Sequence, residues 1–291
     1  MTFFTTPERM EIGDLPMTIS GGKPTRAEAL KYYLRAVEHY AIETRLYEKV
    51  TSVKGRDGAF VVHTTNDLGD PFEYHARKII FATGYYDRPN ILGIPGEDLP
   101  HVSHYFTDAH PYWNQDVVVI GAQNSAAEAA LDLFRGGARV TMVHRGGGVG
   151  KSLKYWVKPD IENRISAGEI QAMFRTSVKR IEPHCVHVKG WMSEKNLPAA
   201  QVFAMTGYHP DFDFLEQQGI RFDPGSRKPH LNPDTLESNI PGVYLAGVIV
   251  GGENTSQIFI ENGRFHGKQI ITAMAGKGRL DAKAPVAPPG E

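Results

Sequence analysis

The stretch that most restricts the fold is the apolar run Asp116-Val117-Val118-Val119-Ile120, followed by GAQNSAAEAALDLFR, Gly136-Gly137, and RVTMV from Arg139. A buried strand, a glycine turn, a helix to about Arg135, a glycine stop and a second strand from Arg139 to Val143 make one βαβ unit. That unit is the signature of a parallel sheet with crossover helices, so the class is α/β.

Gly121 ends the first strand, and Ala126 stands where the third glycine or alanine of a dinucleotide fingerprint lets helix and strand pack closely. Between them, Ala122, Gln123, Asn124 and Ser125 enter the helix's first turn, whose free N–H groups and dipole favour a pyrophosphate. Gln123 departs from the pattern, because it fills the place of the middle glycine that normally bares backbone to phosphate. A βα turn without a ligand is the competing reading; the order and lengths of strand, turn, helix and strand favour the fingerprint.

At the end of the second strand an acidic residue would accept hydrogen bonds from the ribose of NAD, but His144 and Arg145 stand there. A guanidinium fork matches a 2′-phosphate, so NADP(H) is expected, against the plainer alternative of a solvated loop arginine. The run Gly146-Gly147-Gly148-Val149-Gly150-Lys151-Ser152 ends like an ATP phosphate loop. Arg145 occupies the place of that motif's first glycine, which argues against an ATPase or GTPase.

Lys and Arg total 32 against 33 Asp and Glu, so no positive field draws in nucleic acid or an anionic membrane, and a small molecule is the expected partner. With 291 residues, 41% of them hydrophobic, the chain has room for one large domain or two ordinary ones. The one cysteine, Cys185, cannot supply an internal disulfide or a Cys-x-x-Cys centre, which suits a reduced, cytoplasmic compartment. No stretch approaches the roughly 18 to 20 uncharged apolar residues of a membrane span. Thr2 to Asp14 lacks the basic and apolar regions of an export signal. Residues 277–291, ending APVAPPGE, are expected to be a disordered tail.

Thr25-Arg26-Ala27-Glu28 is a capping box, and Leu30, Tyr33, Leu34, Val37 and Tyr40 follow at helical spacing, predicting an amphipathic helix from Thr25 to about Ala41. Runs rich in β-formers then predict strands at Arg45 to Val53, Ala59 to Thr65, Phe72 to His75 and Lys78 to Ala82. Further strands are predicted near Val178 to Ile181, Cys185 to Val188, Ala200 to Met205 and Pro241 to Gly247, and a helix from Ile258 to about Met274. Two strand ends look alike, Phe81-Ala82-Thr83-Gly84-Tyr85 and Ala204-Met205-Thr206-Gly207-Tyr208, suggesting two related nucleotide-binding folds that cross into each other there.

Longer motifs carry a resemblance over roughly Thr2 to Ala275: TFFTTPE from Thr2, KPTR from Lys23, FATGYYDRP from Phe81, HVSHYF from His101, KYWVKPDIENR from Lys154, MTGYHPDFDFL from Met205 and IENGRFHG from Ile260. The chain resembles the bacillithiol-disulfide reductases, within the two-domain flavoprotein superfamily of thioredoxin reductase and flavin monooxygenases. The resemblance implies that NADPH passes hydride to FAD, and that the reduced flavin reduces the disulfide of a low-molecular-weight thiol. It places Thr83 and Gly84 by the flavin at the domain crossover, and Gly247 against the flavin with Val248 where many relatives carry aspartate. Phe3, Phe4 and Thr5 would flank the isoalloxazine, and Glu261 and Asn262 would lie on a helix pointing to it.

The family begins with a strand, a Gly-x-Gly-x-x-Gly turn and a helix that bind the ADP half of FAD, with its redox cysteine in that turn. This sequence starts after that segment, so no catalytic residue is named. The expectation is a truncated product or mis-assigned start, with weak or absent flavin binding. The fold expected is two Rossmann-like dinucleotide-binding folds in three layers, the FAD-binding one incomplete for want of its first βα unit. The FAD-binding part would be 1–111 and 206–276, with an NADP(H)-binding domain inserted at 112–205.

Cys185, between His184 and His187, reads as an inert thiol. His101, His104, His184, His187 and His209 are read as structural or substrate-lining, with no metal expected. Lys154, Tyr155 and Trp156 either cover the nicotinamide, face a partner domain or simply pack. A flavin monooxygenase, suggested by the HVSHYF linker, and a non-catalytic NADPH-binding fragment are the alternatives; assembly with further copies of the chain is left open.

Overall fold

In the computed structural model, which describes residues 2–191, 193–255 and 257–276, the chain divides into two units. One holds the chain up to Arg88 and again from His209; the other is Pro89–Tyr208. The sequence places these crossings at Tyr112 and Met205 instead. The upstream shift follows from a two-residue strand, Val102–Ser103, that joins the second unit's sheet. The tail expected at 277–291 lies outside the described residues.

In chain order the first unit opens with α1 (Pro7–Met10) and α2 (Arg26–His39), then β1 (Glu48–Arg56), β2 (Ala59–Asn66), β3 (Pro71–Ala76) and β4 (Ile79–Phe81), with β5 (Arg88–Pro89) at the crossing. The second contains β6 (Val102–Ser103), β7 (Asp116–Ile120), α3 (Asn124–Arg135), β8 (Arg139–Val143), α4 (Val157–Ser166), β9 (Gln171–Met173), β10 (Ser177–Glu182), β11 (Cys185–Lys189), β12 (Glu194–Pro198) and β13 (Gln201–Ala204). After β14 (Tyr208–His209), at the return crossing, come α5 (Phe212–Gln217), β15 (Val243–Leu245), a 3-10 turn Gly247–Gly251, α6 (Ile260–Gly263) and α7 (His266–Met274).

The second unit is built on a five-stranded parallel sheet, ordered β6-β13-β7-β8-β9. Alternation along β7 sends Val117 and Val119 to one face and Val118 and Ile120 to the other, and all four are buried. The first face is covered by α3 and α4, whose Ala126, Ala127, Ala129 and Ala130 are small enough to bring the helix close to the strands. The second face is covered by the antiparallel β10-β11-β12 sheet through Ile181, Val186 and Val188. Helices, parallel sheet and antiparallel sheet thus form three layers. Neither α4 nor the short β9 and β12 is evident in the sequence; Pro159 sits in the first turn of α4, where an N–H has no helical partner to lose.

In the first unit the β1-β2-β3 meander is antiparallel, and β4 pairs in parallel with β15 at Ile79↔Val243 and Phe81↔Leu245. The capping box of α2 forms as predicted: Thr25 Oγ1 accepts from Glu28 N–H at 3.3 Å, and Glu28 accepts from Thr25 N–H at 2.8 Å. Backbone bonds from Ser20 and Thr25 lower the Glu28 carboxyl to about 2. The helix buries a different stripe from the one its large apolar residues mark. Ala29, Tyr32 and Ala36 are buried, whereas Leu30 and Leu34 are 52% and 59% exposed. Tyr32 decides the rotation, since its hydroxyl accepts from Ile12 N–H at 2.6 Å and donates to Leu15 carbonyl at 2.8 Å.

The helix predicted from Ile258 to Met274 is broken in two at Arg264-Phe265. Arg264 donates to the carbonyls of Glu8 and Glu11, at 3.1 and 3.2 Å, which fixes α6 against α1 and ends its run.

Candidate functional site

Within the second unit, the carboxyl ends of β7 and β13 meet where the strand order reverses, the switch point at which doubly wound sheets bind ligands. Gly121 occupies it with φ of 129°, and a Cβ there would lie 2.5 Å from the Met205 carbonyl oxygen and 3.2 Å from Ala126 Cβ. Only glycine allows the turn to pass between strand end and helix. Ala122 and Ala126 are buried beneath it, while Gln123 and Ser125 are exposed and Asn124 is half-buried. Gln123 caps α3 with extended backbone, and Asn124 binds the loop that follows: its Oδ1 accepts from Lys154 N–H at 2.8 Å, and its Nδ2 donates to Ser152 carbonyl at 3.3 Å.

The glycine run after β8 folds back onto this turn. Gly150 N–H donates to Ala122 carbonyl at 2.8 Å, and the Gln123 amide oxygen fills the space a Cβ on Gly150 would need. His144 and Arg145 lead into that run; the His144 ring lies against Gly146, and Arg145 is exposed. Burial first, then the Arg145 charge, holds the His144 imidazole below its ordinary pKa. Arg175, which the sequence does not single out, lies over Gly147. Lys154 pairs with Glu128 at 2.7 Å and lies 5.8 Å from the Trp156 ring centroid, while Tyr155 is 69% exposed.

The first unit gathers the other predicted residues. Thr83 and Gly84 follow β4, Gly247 and Val248 follow β15, and these two strands are paired. The Gly247–Gly251 turn touches α6, which carries Glu261 and Asn262, and α6 touches α1, just after Phe3, Phe4 and Thr5. Asn262 is committed locally: it accepts from Phe259 N–H at 2.7 Å and donates to Gln257 carbonyl at 2.9 Å. Phe4 is 58% exposed and Phe3 packs against the cluster that contains Met10 and Tyr32. Thr5 is 5% exposed, and its hydroxyl oxygen is buried without a hydrogen-bond partner. A buried orphan hydroxyl costs roughly 1–3 kcal/mol, which the polar edge of a ligand would relieve. His266, which the sequence includes in the IENGRFHG motif without giving it a role, accepts from Gly247 N–H through Nδ1 at 3.0 Å, and burial lowers its pKa.

Two of the histidines singled out in the sequence have carboxylate neighbours that the sequence conceals. His104 Nε2 lies 3.3 Å from Glu97, and His187 Nε2 lies 2.9 Å from Glu182. Glu182, His187 and Cys185 bring one ligand atom each within 4.8 Å, as the hairpin register opposes Glu182 to Cys185. Glu182 is already engaged by His187 and by Arg180, the latter at 3.2 Å, and the His187 bond holds its carboxyl below the usual range. Among the described residues no helix is long and apolar enough to cross a membrane.

Comparison with known proteins matches residues 1–247 to the family described as pyridine nucleotide-disulphide oxidoreductase. The chain is 44% identical over 278 residues to the bacilliredoxin reductase Bdr of Bacillus subtilis, covering 94% of this chain and 84% of that protein. Its structure is similar to the bacillithiol disulfide reductase Bdr (YpdA) from Bacillus cereus, with TM-score 0.90, 42% identity and coverage of 95% and 86% of the two chains. The thioredoxin reductase of T. acidophilum shares the fold, at TM-score 0.70 and 22% identity over 88% of this chain and 83% of that one.

Proposed function

The chain belongs to the pyridine nucleotide-disulphide oxidoreductase family, and from that we propose that it uses NADPH and FAD to reduce the disulfide of a low-molecular-weight thiol such as bacillithiol. The observation that carries the nucleotide assignment is the glycine-only turn at Gly121, seated at the switch point of the parallel sheet with Arg145 at the neighbouring strand end. The first-turn N–H groups from Asn124 onward are without helical partners and suit a pyrophosphate. Arg145 supplies a fork for a ribose phosphate, and no acidic side chain stands there to accept from a free ribose.

In the first unit the residues fit a flavin. The Thr5 hydroxyl would hydrogen-bond it, and Gly247 would approach it with its N–H already taken by His266. The bound nicotinamide and flavin would supply the hydride transfer. The protein's part is to orient them, keep the His266 imidazole neutral beside Gly247, and shield the Thr5 edge from water.

Incubation with NADPH, FAD and bacillithiol disulfide tests the reading by the free thiol released. An oxygenated product instead of thiol would replace it with monooxygenase chemistry, and nucleotide binding without turnover would leave a binding protein. Arg145→Ala should reduce the preference for NADPH over NADH by on the order of tenfold, the scale of a charge-assisted contact. An unchanged preference would remove Arg145 from the site.

A further inference from the structure

We propose that Arg175 is a second specificity-determining arm for the 2′-phosphate of the dinucleotide, supplied from a strand end outside the fingerprint. This deepens the NADPH reading above and rests on it.

The ends of β8 and β9 are stitched together by backbone. His144 N–H donates to Met173 carbonyl at 3.0 Å, Arg175 N–H to Gly146 carbonyl at 2.7 Å, and Thr176 N–H to His144 carbonyl at 3.0 Å. Thr176, 5% exposed, locks the turn further by donating its hydroxyl to Phe174 carbonyl at 2.9 Å. The turn holds Arg175 at φ 52°, a conformation uncommon for any residue but glycine, asparagine and aspartate. Its guanidinium is thereby carried over Gly147, with Nε 3.6 Å and Nη2 3.9 Å from where that residue's Cβ would stand. The neighbouring Gly146, Gly147 and Gly148 have no side chains, so an anion reaching this loop meets backbone flanked by Arg145 and Arg175.

Charge pairing separates these two arginines from their neighbours. In the same unit Arg135, Arg139, Arg164 and Arg180 each engage a carboxylate. Arg145 and Arg175 are exposed and have no carboxylate partner among the described residues. A doubly charged phosphate monoester seated on this side-chain-free loop would accept from the Arg175 fork above it and from the adjacent Arg145, neither of which is engaged by a carboxylate among the described residues.

Calorimetric titration of the whole chain with NADP+ and NAD+ tests the assignment. Arg175→Ala should weaken NADP+ binding by about tenfold, as expected for one charge-assisted contact, and leave NAD+ binding within about twofold of the original. Arg175→Gly removes the same guanidinium while relaxing the positive φ, so it should show the same selective loss even if alanine strains the turn. Arg175→Lys should restore part of it. If both variants retain the original preference for NADP+, or if they lose both ligands equally, the arm is overturned while the NADPH reading stands. If the unmodified chain shows no preference for NADP+ over NAD+, the underlying reading fails first, and the arm with it.

Discussion

The five-stranded parallel sheet and the parallel β4-β15 pair are closed to very different degrees. In the five-stranded sheet both faces are covered, and Val118 and Val119, on opposite faces of β7, are each 0% exposed. In the β4-β15 pair, Val243, Tyr244 and Leu245 are buried, yet Ile80 at the middle of β4 is 44% exposed, and α2 in the same unit turns Leu30 and Leu34 outward. Parallel strands are ordinarily covered on both faces, and two strands alone are marginal in water. The Pro89–Tyr208 unit therefore contains the core it needs, whereas the other unit presents apolar surface at β4 and α2.

The largest test of that contrast is a pair of truncations. Leu133→Ala, at a site with 0% exposure in α3, should cost about 2–5 kcal/mol in denaturant unfolding, as buried leucines do. Ile80→Ala should cost under about 1 kcal/mol, because much of the side chain is already in water. Equal losses would break the comparison. Next in size, Gly121→Ala forces a Cβ to within 2.5 Å of Met205 carbonyl and holds alanine at φ 129°. A loss on the order of 1–3 kcal/mol is expected, together with loss of NADPH binding. Retained binding in calorimetry would mean that the turn yields more easily than its surroundings suggest.

The smallest effect is a pH dependence. Burial lowers the His266 pKa below the unfolded value of about 6.5, so the unfolded chain binds more protons in the window between the two values. His266 thus contributes stability that is present above about pH 6.5 and is lost as pH falls toward the folded pKa. His144 is shifted in the same direction in the other unit. Chemical unfolding at pH 7.5 and 5.5 should therefore show a shallower acid loss for His266→Gln, and for His144→Gln, than for the original chain. A slope unchanged in the His266 variant would show that burial does not hold that ring neutral.

What could be read from sequence was what is local. The βαβ unit from Asp116 to Val143 was legible because strand, glycine turn and helix announce themselves by period and punctuation. The burying stripe of α2 was not, because the choice between Leu30-Leu34 and Ala29-Tyr32-Ala36 is made by Tyr32 bonding to a segment some 17 to 20 residues upstream. The break at Arg264 depends on carbonyls of Glu8 and Glu11, more than 250 residues away, and periodicity carries no trace of them. The site divides in the same way. Gly121, Ala126, His144 and Arg145 stand out by spacing from the glycine turn. Arg175 joins them only through the β8-β9 register, and His266 meets Gly247 only in three dimensions.

The fold-back of Gly150 onto Ala122 has a consequence for how this site can change. Because the Gln123 amide occupies the volume that a side chain on residue 150 would claim, neither position is independent. A side chain at 150 requires the exposed Gln123 amide to swing aside, and a shorter residue at 123 removes that requirement. With the ordinary fingerprint glycine at 123, the opposite loop could acquire a side chain without displacing that amide.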